Sequence, residues 1–296
     1  MVHLIDLNFQ LPKTIASFVV PSDAGPILIE TGPHSVFPIL EKGLADLGYK
    51  VSDIKHVLLS HIHFDHAGAA WALAEAGATI YVHPRGWKHM HDPSRLYESA
   101  KRIYQDKMEE LWGEMHAIPA EQLMAIEDGI TLNLGGHEFT ALHTPGHANH
   151  HIAWKWNDTV FTGDVAGCRI EGGPIVPPCP PPDINLEAWE ASIDRILSHE
   201  PQRLFLTHFG EVTDVADHFA QLKEILKDWG AWIKPHWEAG KSAGEITSAF
   251  QAYADAQLAE QGADAVSIAR YNAANPAWMS VAGLMRYWQK KSEGAF

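Results

Sequence analysis

Cysteine is nearly missing from this chain: Cys168 and Cys179 are the only two in 296 residues. A scaffold held together by disulfides is thereby excluded, and two free thiols are expected. Positive charge is also scarce, with 22 Lys and Arg against 37 Asp and Glu, a formal net charge of −15. Such a surface repels a phosphate backbone unless basic residues gather locally. The nearest approach to a basic cluster is the pair Lys290-Lys291, so nucleic acid is not an expected partner. No apolar run is long enough to span a bilayer, and no membrane partner is expected. Residues 1–6 lack the basic stretch and long apolar core of a secretory signal, which makes a cytoplasmic location the expectation.

Histidine, by contrast, is plentiful, with 19 in the chain. The number alone decides nothing, because most histidines are surface or packed residues. Their placement relative to strands and turns is what carries information.

The hydrophobic pattern reads as alternating strands and helices, which indicates α/β layering. Strands are expected at 15–20, 27–29, 54–59 and 79–82, with helices at 35–47 and 67–76. A segment rich in Trp, Met, Tyr and His follows at 84–119, with helical spacing from 94 to 112. An insertion of that length between strands reads as a lid. Strands resume near Leu123 and at 130–134 and 137–143, and a hairpin turns at Asn157-Asp158 between 152–156 and 159–162. The Gly/Pro-rich stretch 172–182 cannot be regular structure, because proline lacks the backbone donor. A helix at 186–197 and a strand at 203–206 complete this part. Beyond Val212 only helices are expected, near 213–234, 242–261 and 277–290.

The run His61-Ile62-His63-Phe64-Asp65-His66 stands at the end of the 54–59 strand. His61 and His63, two apart, can share one face and offer imidazole nitrogen to one metal ion. Asp65 and His66, in the turn that follows, can address a second. Imidazole and carboxylate together suit zinc, with iron and manganese as competitors. A surface run of histidines is the plain alternative. Against it, a strand of buried character delivers the run to a place where α/β folds put their ligands. The same arrangement recurs downstream: His147 follows Thr144-Pro145-Gly146, Asp164 follows Thr162-Gly163, and His208 follows Thr207, each just past a strand.

This set of motifs resembles the metallo-β-lactamase-fold hydrolase superfamily, over about residues 15–215. The resemblance implies a four-layer αβ/βα sandwich with the metal centre at one edge, here with a C-terminal helical appendage. On that basis residues 1–228 form the metallo-hydrolase domain with its lid at about 84–119, and 229–296 a helical extension packed on it. It also implies that His61, His63 and His147 hold a first metal, that Asp65, His66 and His208 hold a second, and that Asp164 bridges both. Asp65 and Asp164 then double as catalytic carboxylates around a bridging hydroxide.

Several finer expectations follow from the likeness. True β-lactamases of the superfamily generally lack the bridging aspartate, so Asp164 points toward thioesterase, lactonase and phosphodiesterase branches. The expected reaction is cleavage of a carboxylic ester, lactone or thioester in a small-molecule substrate. Phosphodiester hydrolysis and a mononuclear-iron sulfur dioxygenase are the alternatives, and a non-catalytic metal-binding scaffold is a further one. The stretch 61–68 is similar to that of bacterial quorum-signal lactonases, which add an assisting tyrosine; Tyr97 and Tyr104 are the candidates in the insertion. One departure is Glu30-Thr31-Gly32, where the superfamily usually has Asp-Thr-Gly. Glu30 is expected to reach the ligand shell through a hydrogen bond. Substrate-binding residues are not identified. The helical stripe Trp278, Val281, Met285 and Trp288 reads as a packed face, on this chain or in a homodimer.

Overall fold

The computed structural model describes residues 1–296. Twelve strands make two six-stranded sheets. The first sheet runs, in spatial order, β1 (His3–Asp6), β2 (Ala16–Val20), β3 (Ile27–Ile29), β4 (His56–Leu58), β5 (Thr79–Val82) and β6 (Leu123–Ala125). Its first three strands pair antiparallel and β3 to β6 pair parallel. The second sheet runs β7 (Thr131–Leu134), β8 (His137–His143), β9 (Ile152–Trp156), β10 (Thr159–Phe161), β11 (Arg203–Leu206) and β12 (Gly210–Val212). Only β10 and β11 pair parallel there.

Parallel neighbours need crossovers, and the helices supply them. In the first half these are α1 (Phe37–Asp46), α2 (Phe64–Ala67), α3 (Ala70–Glu75), α4 (Pro84–His91), α5 (Ser94–Tyr104) and α6 (Met108–Trp112). In the second half α7 (Leu186–Leu197) makes the one crossover, from β10 to β11, and α8 (Val215–Glu238), α9 (Ala243–Glu260), α10 (Ala265–Ala274) and α11 (Ala277–Ser292) follow the last strand.

Strands covered on both faces read as unbroken apolar runs rather than alternating ones. In β2 every residue is buried: Phe18 enters the core between the sheets and Val19 the core under the outer helices. In β4, Leu58 and Val57 divide the same way. The core between the sheets is aromatic, built on Phe18, Phe139, Trp154, Phe161 and Phe205. A second core joins the first sheet to α1 and α3 through Leu40, Leu44 and Leu73. A third joins the other sheet to α7, α8, α9 and α11 through Trp189, Phe219, Phe250 and Tyr287. The result is the expected four-layer αβ/βα sandwich, with its C-terminal helices on the outer face of the second sheet.

Three elements escape the hydrophobic pattern. β1 and β12 are short outer strands whose existence depends on pairing with β2 and β11. α10 buries only Tyr271, so it has little periodic signal. The helix expected at 67–76 is two short ones, parted at Gly68, where a Cβ would lie 2.5 Å from the Phe64 carbonyl oxygen. The helix expected from 94 to 112 breaks after Tyr104, where Gln105 takes φ +50°. α8 is continuous through 228 and 229 and carries Pro235 in its last turn. The 172–182 stretch forms no helix or strand, and its Val176 makes a single bridge to Cys168.

Candidate metal centre

β8, β10 and β11 run in one direction, because β9 is antiparallel to both β8 and β10 while β11 is parallel to β10. Their C-terminal ends therefore reach one edge of the sheet, and just beyond them come His147, Asp164 and His208. β4, in the facing sheet, delivers residues 61–66 to the same edge. His61, His66, His147, His208 and Asp164 are all buried there; His63 and Asp65 are partly exposed.

The turn that carries Asp164 comes so close to the first sheet that residue 163 must be glycine. Gly163 has φ +48°, and a Cβ on it would lie 2.4 Å from Ser60 Oγ and 2.8 Å from His151 Nε2. This approach brings the donors of both sheets into three groups: His61, His63 and His147; His61, His66 and Asp164; Asp65, His66 and His208. Within each group the ligand atoms lie within 4.8 Å of one another. All seven residues expected at the centre are thus brought together.

In the first group, His63 Nδ1 lies 2.8 Å from His61 Nε2 and 3.0 Å from His147 Nε2. Nitrogen ligands of a tetrahedral ion at about 2.0–2.1 Å lie about 3.3 Å apart, close to this spacing. In the other groups Asp164 Oδ1 lies 3.2 Å from His66 Nε2 and 3.3 Å from His208 Nε2, while its Oδ2 lies 3.2 Å from His147 Nε2. Asp65 Oδ2 is 3.4 Å from His208 Nε2 and 3.6 Å from His66 Nε2. Although these separations are short, His66 Nε2, His208 Nε2 and Asp164 Oδ1 are buried with no aligned hydrogen-bond partner. Buried polar atoms left in that state are rare and ask for a partner. Their lone pairs converge on common points, which is what a divalent cation requires.

The far nitrogen of each imidazole explains the orientation. His147 Nδ1 donates to the Pro178 carbonyl at 2.8 Å, and His208 Nδ1 donates to the Thr14 carbonyl at 2.6 Å. His66 Nδ1 faces Glu30 Oε2 at 3.3 Å, and Glu30 Oε1 accepts from the Ser60 backbone N–H at 3.0 Å. In the neutral imidazoles of His66, His147 and His208 the proton is thus held on Nδ1, and Nε2 is the nitrogen that faces the centre. Glu30 thus approaches His66 by charge and not through the expected hydrogen bond, since its Oε2 has no aligned partner, and it does so from a backbone at φ +62° that few non-glycine residues adopt.

Charge divides the centre into two halves. Burial, then the crowding of neighbouring imidazoles, lowers His61 and takes His63 down to about 3. Burial also lowers His147, although Asp164 opposes it. These three stay neutral, as ligands must. For His66 and His208 burial acts downward too, but it is outweighed. The carboxylates of Asp164, Asp65 and Glu30 raise His66, and those of Asp164 and Asp65 lift His208 to about 10. Burial would raise the two aspartates. The adjacent imidazoles more than offset it, holding Asp65 at about 2 and Asp164 well below the usual carboxylate range. One half is a neutral imidazole trio; in the other the carboxylates favour positive charge on the two imidazoles, a charge that a bound cation would supply instead.

The sequence model of the Metallo-beta-lactamase superfamily matches residues 12–208, which include β2 to β11 and all seven candidate donors. The chain belongs to that superfamily. A metallo-beta-lactamase fold-containing protein of Sulfurisphaera tokodaii is 25% identical over 243 residues, spanning 80% of this chain and 87% of that one. A hydroxyacylglutathione hydrolase of Xylella fastidiosa is 30% identical over 164 residues, 53% of this chain and 48% of that one. Among solved structures, a metallo-beta-lactamase family protein from Thermus thermophilus superposes with a TM-score of 0.73 at 22% identity. It covers 99% of this chain and 94% of its own, which shows that the fold likeness extends through α8–α11.

Other residues of this superfamily member take part without having been singled out in the sequence. His151 is fully buried; its Nε2 accepts from the Asp164 backbone N–H at 3.2 Å and its Nδ1 meets Thr144 Oγ1 at 2.8 Å. Its place four residues after His147 was the only local sign. Ser60, Thr14 and Pro178 act through a hydroxyl or a carbonyl and left no sign at all. Cys168 is a buried free thiol, raised by burial and then by the Asp164 carboxylate, and it belongs to none of the three donor groups. Cys179 is a fully buried free thiol, and its backbone N–H donates to Ser280 Oγ of α11 at 3.3 Å. Tyr97 donates to the Gly113 carbonyl at 3.3 Å, and Tyr104 to the Met279 sulfur at 3.5 Å. Of the stripe on α11, Val281, Met285 and Trp288 pack into the core that this helix shares with α8 and α9, with Trp288 Nε1 donating to the Gly230 carbonyl at 2.9 Å, while Trp278 lies against Tyr104 instead.

Proposed function

We propose that the protein is a hydrolase of a carboxylic ester, lactone or thioester that works with two divalent cations, zinc by the chemistry of its donors. The observation that carries this reading is Asp164, whose two oxygens divide between the halves of the centre, Oδ2 toward His147 and Oδ1 toward His66 and His208. His61, His63 and His147 would hold one cation, Asp65, His66 and His208 the other, and Asp164 both. Bound there, such ions lower the pKa of a water and polarise a substrate carbonyl.

The chain's own residues supply the rest. Asp164 neutralises charge from inside, with its side chain only 4% exposed, while Asp65, 20% exposed, meets solvent and can orient the attacking water and relay its proton. Phe64, Met108 and Trp112 screen the adjacent side from bulk water, and Phe9 stacks on Trp112 with ring centres 5.3 Å apart. The likeness over half its length to a hydrolase of hydroxyacylglutathione, a thioester, supports a carbonyl substrate. The net charge of −15 disfavours a phosphodiester polymer. His208, placed 3.4 Å from Asp65, favours two ions over one.

Metal analysis of purified protein is expected to find two zinc equivalents per chain. A panel of lactones, thioesters, aryl esters and aryl phosphodiesters should then show turnover of carbonyl substrates. Asp164→Ala is expected to lose metal or activity while circular dichroism stays native. Cleavage of the phosphodiesters alone, or one iron per chain with oxygen uptake on a persulfide, would overturn the proposal.

A further inference from the structure

Asp65 marks the side of the centre that solvent reaches, and the residues standing there come from two distant parts of the chain. Phe64, next to it, is buried in one cluster with Ala100 and Met108, against which Tyr104 and Trp112 pack. Tyr104 ends α5 and bridges outward from this cluster. Its ring meets Trp278 edge-on with centres 5.9 Å apart, and its hydroxyl donates to the Met279 sulfur at 3.5 Å. The insertion and the start of α11, 175 positions apart, thus join beside the centre. Burial, and then the Asp65 carboxylate, raise the Tyr104 hydroxyl, which agrees with a phenol standing close to that carboxylate.

The junction is left bare. Trp278, whose ring lies against that of Tyr104, is 38% exposed, and Ile103, the residue before Tyr104 in the chain, is 50% exposed. Few large apolar side chains of this protein face solvent to that degree, and one stands on each of the two segments that Tyr104 and Trp278 join. Water would be displaced favourably from such a surface by an apolar ligand. A substrate that is polar throughout would have no use for it.

The geometry points to a binding wall of Tyr104, Trp278 and Met279 that takes a hydrophobic acyl chain, with the carbonyl of the same substrate beside Asp65. This inference rests on the hydrolase reading above and names the substrate class: acyl compounds with a medium-length apolar chain. The C-terminal helices, outside the ligand set, then act as the specificity element. Each methylene laid on the wall is expected to raise kcat/KM about two- to four-fold, since full burial of a methylene corresponds to about four-fold.

The test uses the full-length zinc-loaded protein and a series of aryl esters and thioesters from acetyl to octanoyl. In the wild type, log kcat/KM should climb with chain length. Trp278→Ala and Met279→Ala should at least halve that slope, and Trp278→Phe should restore most of it. Binding of methyl alkyl ketones of the same lengths, followed by calorimetry, reads the wall without turnover. Affinity that rises with chain length and is flattened by Trp278→Ala supports the wall even if no ester is cleaved, in which case the hydrolase reading alone fails. Ester turnover with no dependence on chain length overturns the wall and leaves the hydrolase intact. A dimer that Trp278→Ala dissociates, with flat length dependence, would assign the bare surface to a second copy of the chain instead.

Discussion

Glu30 sets its Oε2 3.3 Å from Nδ1 of His66, from a left-handed backbone at the end of β3. Its carboxylate charge favours a proton on Nδ1, which leaves Nε2 as the nitrogen that faces the centre. In Glu30→Gln the amide can donate to Nδ1, which moves the imidazole proton to Nε2, the atom that must bind metal. Affinity at the Asp65–His66–His208 half is expected to fall about 10- to 100-fold. Competition with a chromophoric chelator checks this, and the other half should keep its ion.

Gly163→Ala tests the approach of the two sheets. A left-handed alanine costs roughly 1–2 kcal/mol, and forcing a methyl against Ser60 adds about 1–3 kcal/mol. The variant should lose about 2–5 kcal/mol of unfolding free energy in urea and bind metal more weakly. An unchanged midpoint would show that the turn relaxes without strain.

Metal removal should lower stability as well as activity. An ion at 100 times its dissociation constant adds about 2.7 kcal/mol to the folded state. For a chain of this size that corresponds to a few degrees in Tm. Dialysis against chelator is expected to lower the calorimetric Tm by at least that much, and zinc should restore it.

His218 gives the stability a pH dependence away from the centre. The residue is fully buried, its Nε2 donates to the Ala166 carbonyl at 2.7 Å, and its Nδ1 has no partner. Burial pushes it down from 6.5 to about 4. The folded pKa is depressed, so the unfolded chain takes up the proton first as pH falls. The contribution is whole above pH 6.5 and is lost progressively down to about pH 4. The loss totals on the order of 3 kcal/mol, at about 1.4 kcal/mol per pH unit. His218→Gln keeps a donor for Ala166 without the titration, so its urea-derived stability should vary less between pH 7 and pH 4.5 than that of the wild type.

The donors were legible because each stands directly after a strand of buried character: His61 after β4, His147 after β8, Asp164 after β10 and His208 after β11. Local pattern is enough for such positions. It is not enough for β1 and β12, whose pairing partners lie elsewhere in the chain, nor for α10, which buries one side chain. His151 shows the same limit within the site. Its two hydrogen bonds make it a support of Asp164, and nothing near it in sequence separates that role from a surface turn.

Residue order alone thus determined the α/β layering and placed the seven candidate donors at strand ends, because hydrophobic period and strand-end placement are local properties. Folding decided how those donors act. That Asp164 reaches both halves depends on the approach at Gly163, and the free Nε2 atoms depend on carbonyls of Thr14 and Pro178. The bare surface at Tyr104 and Trp278 likewise exists only where two distant helices meet. Backbone acceptors carry no side-chain signature, and contacts over such separations are set by packing of the whole chain.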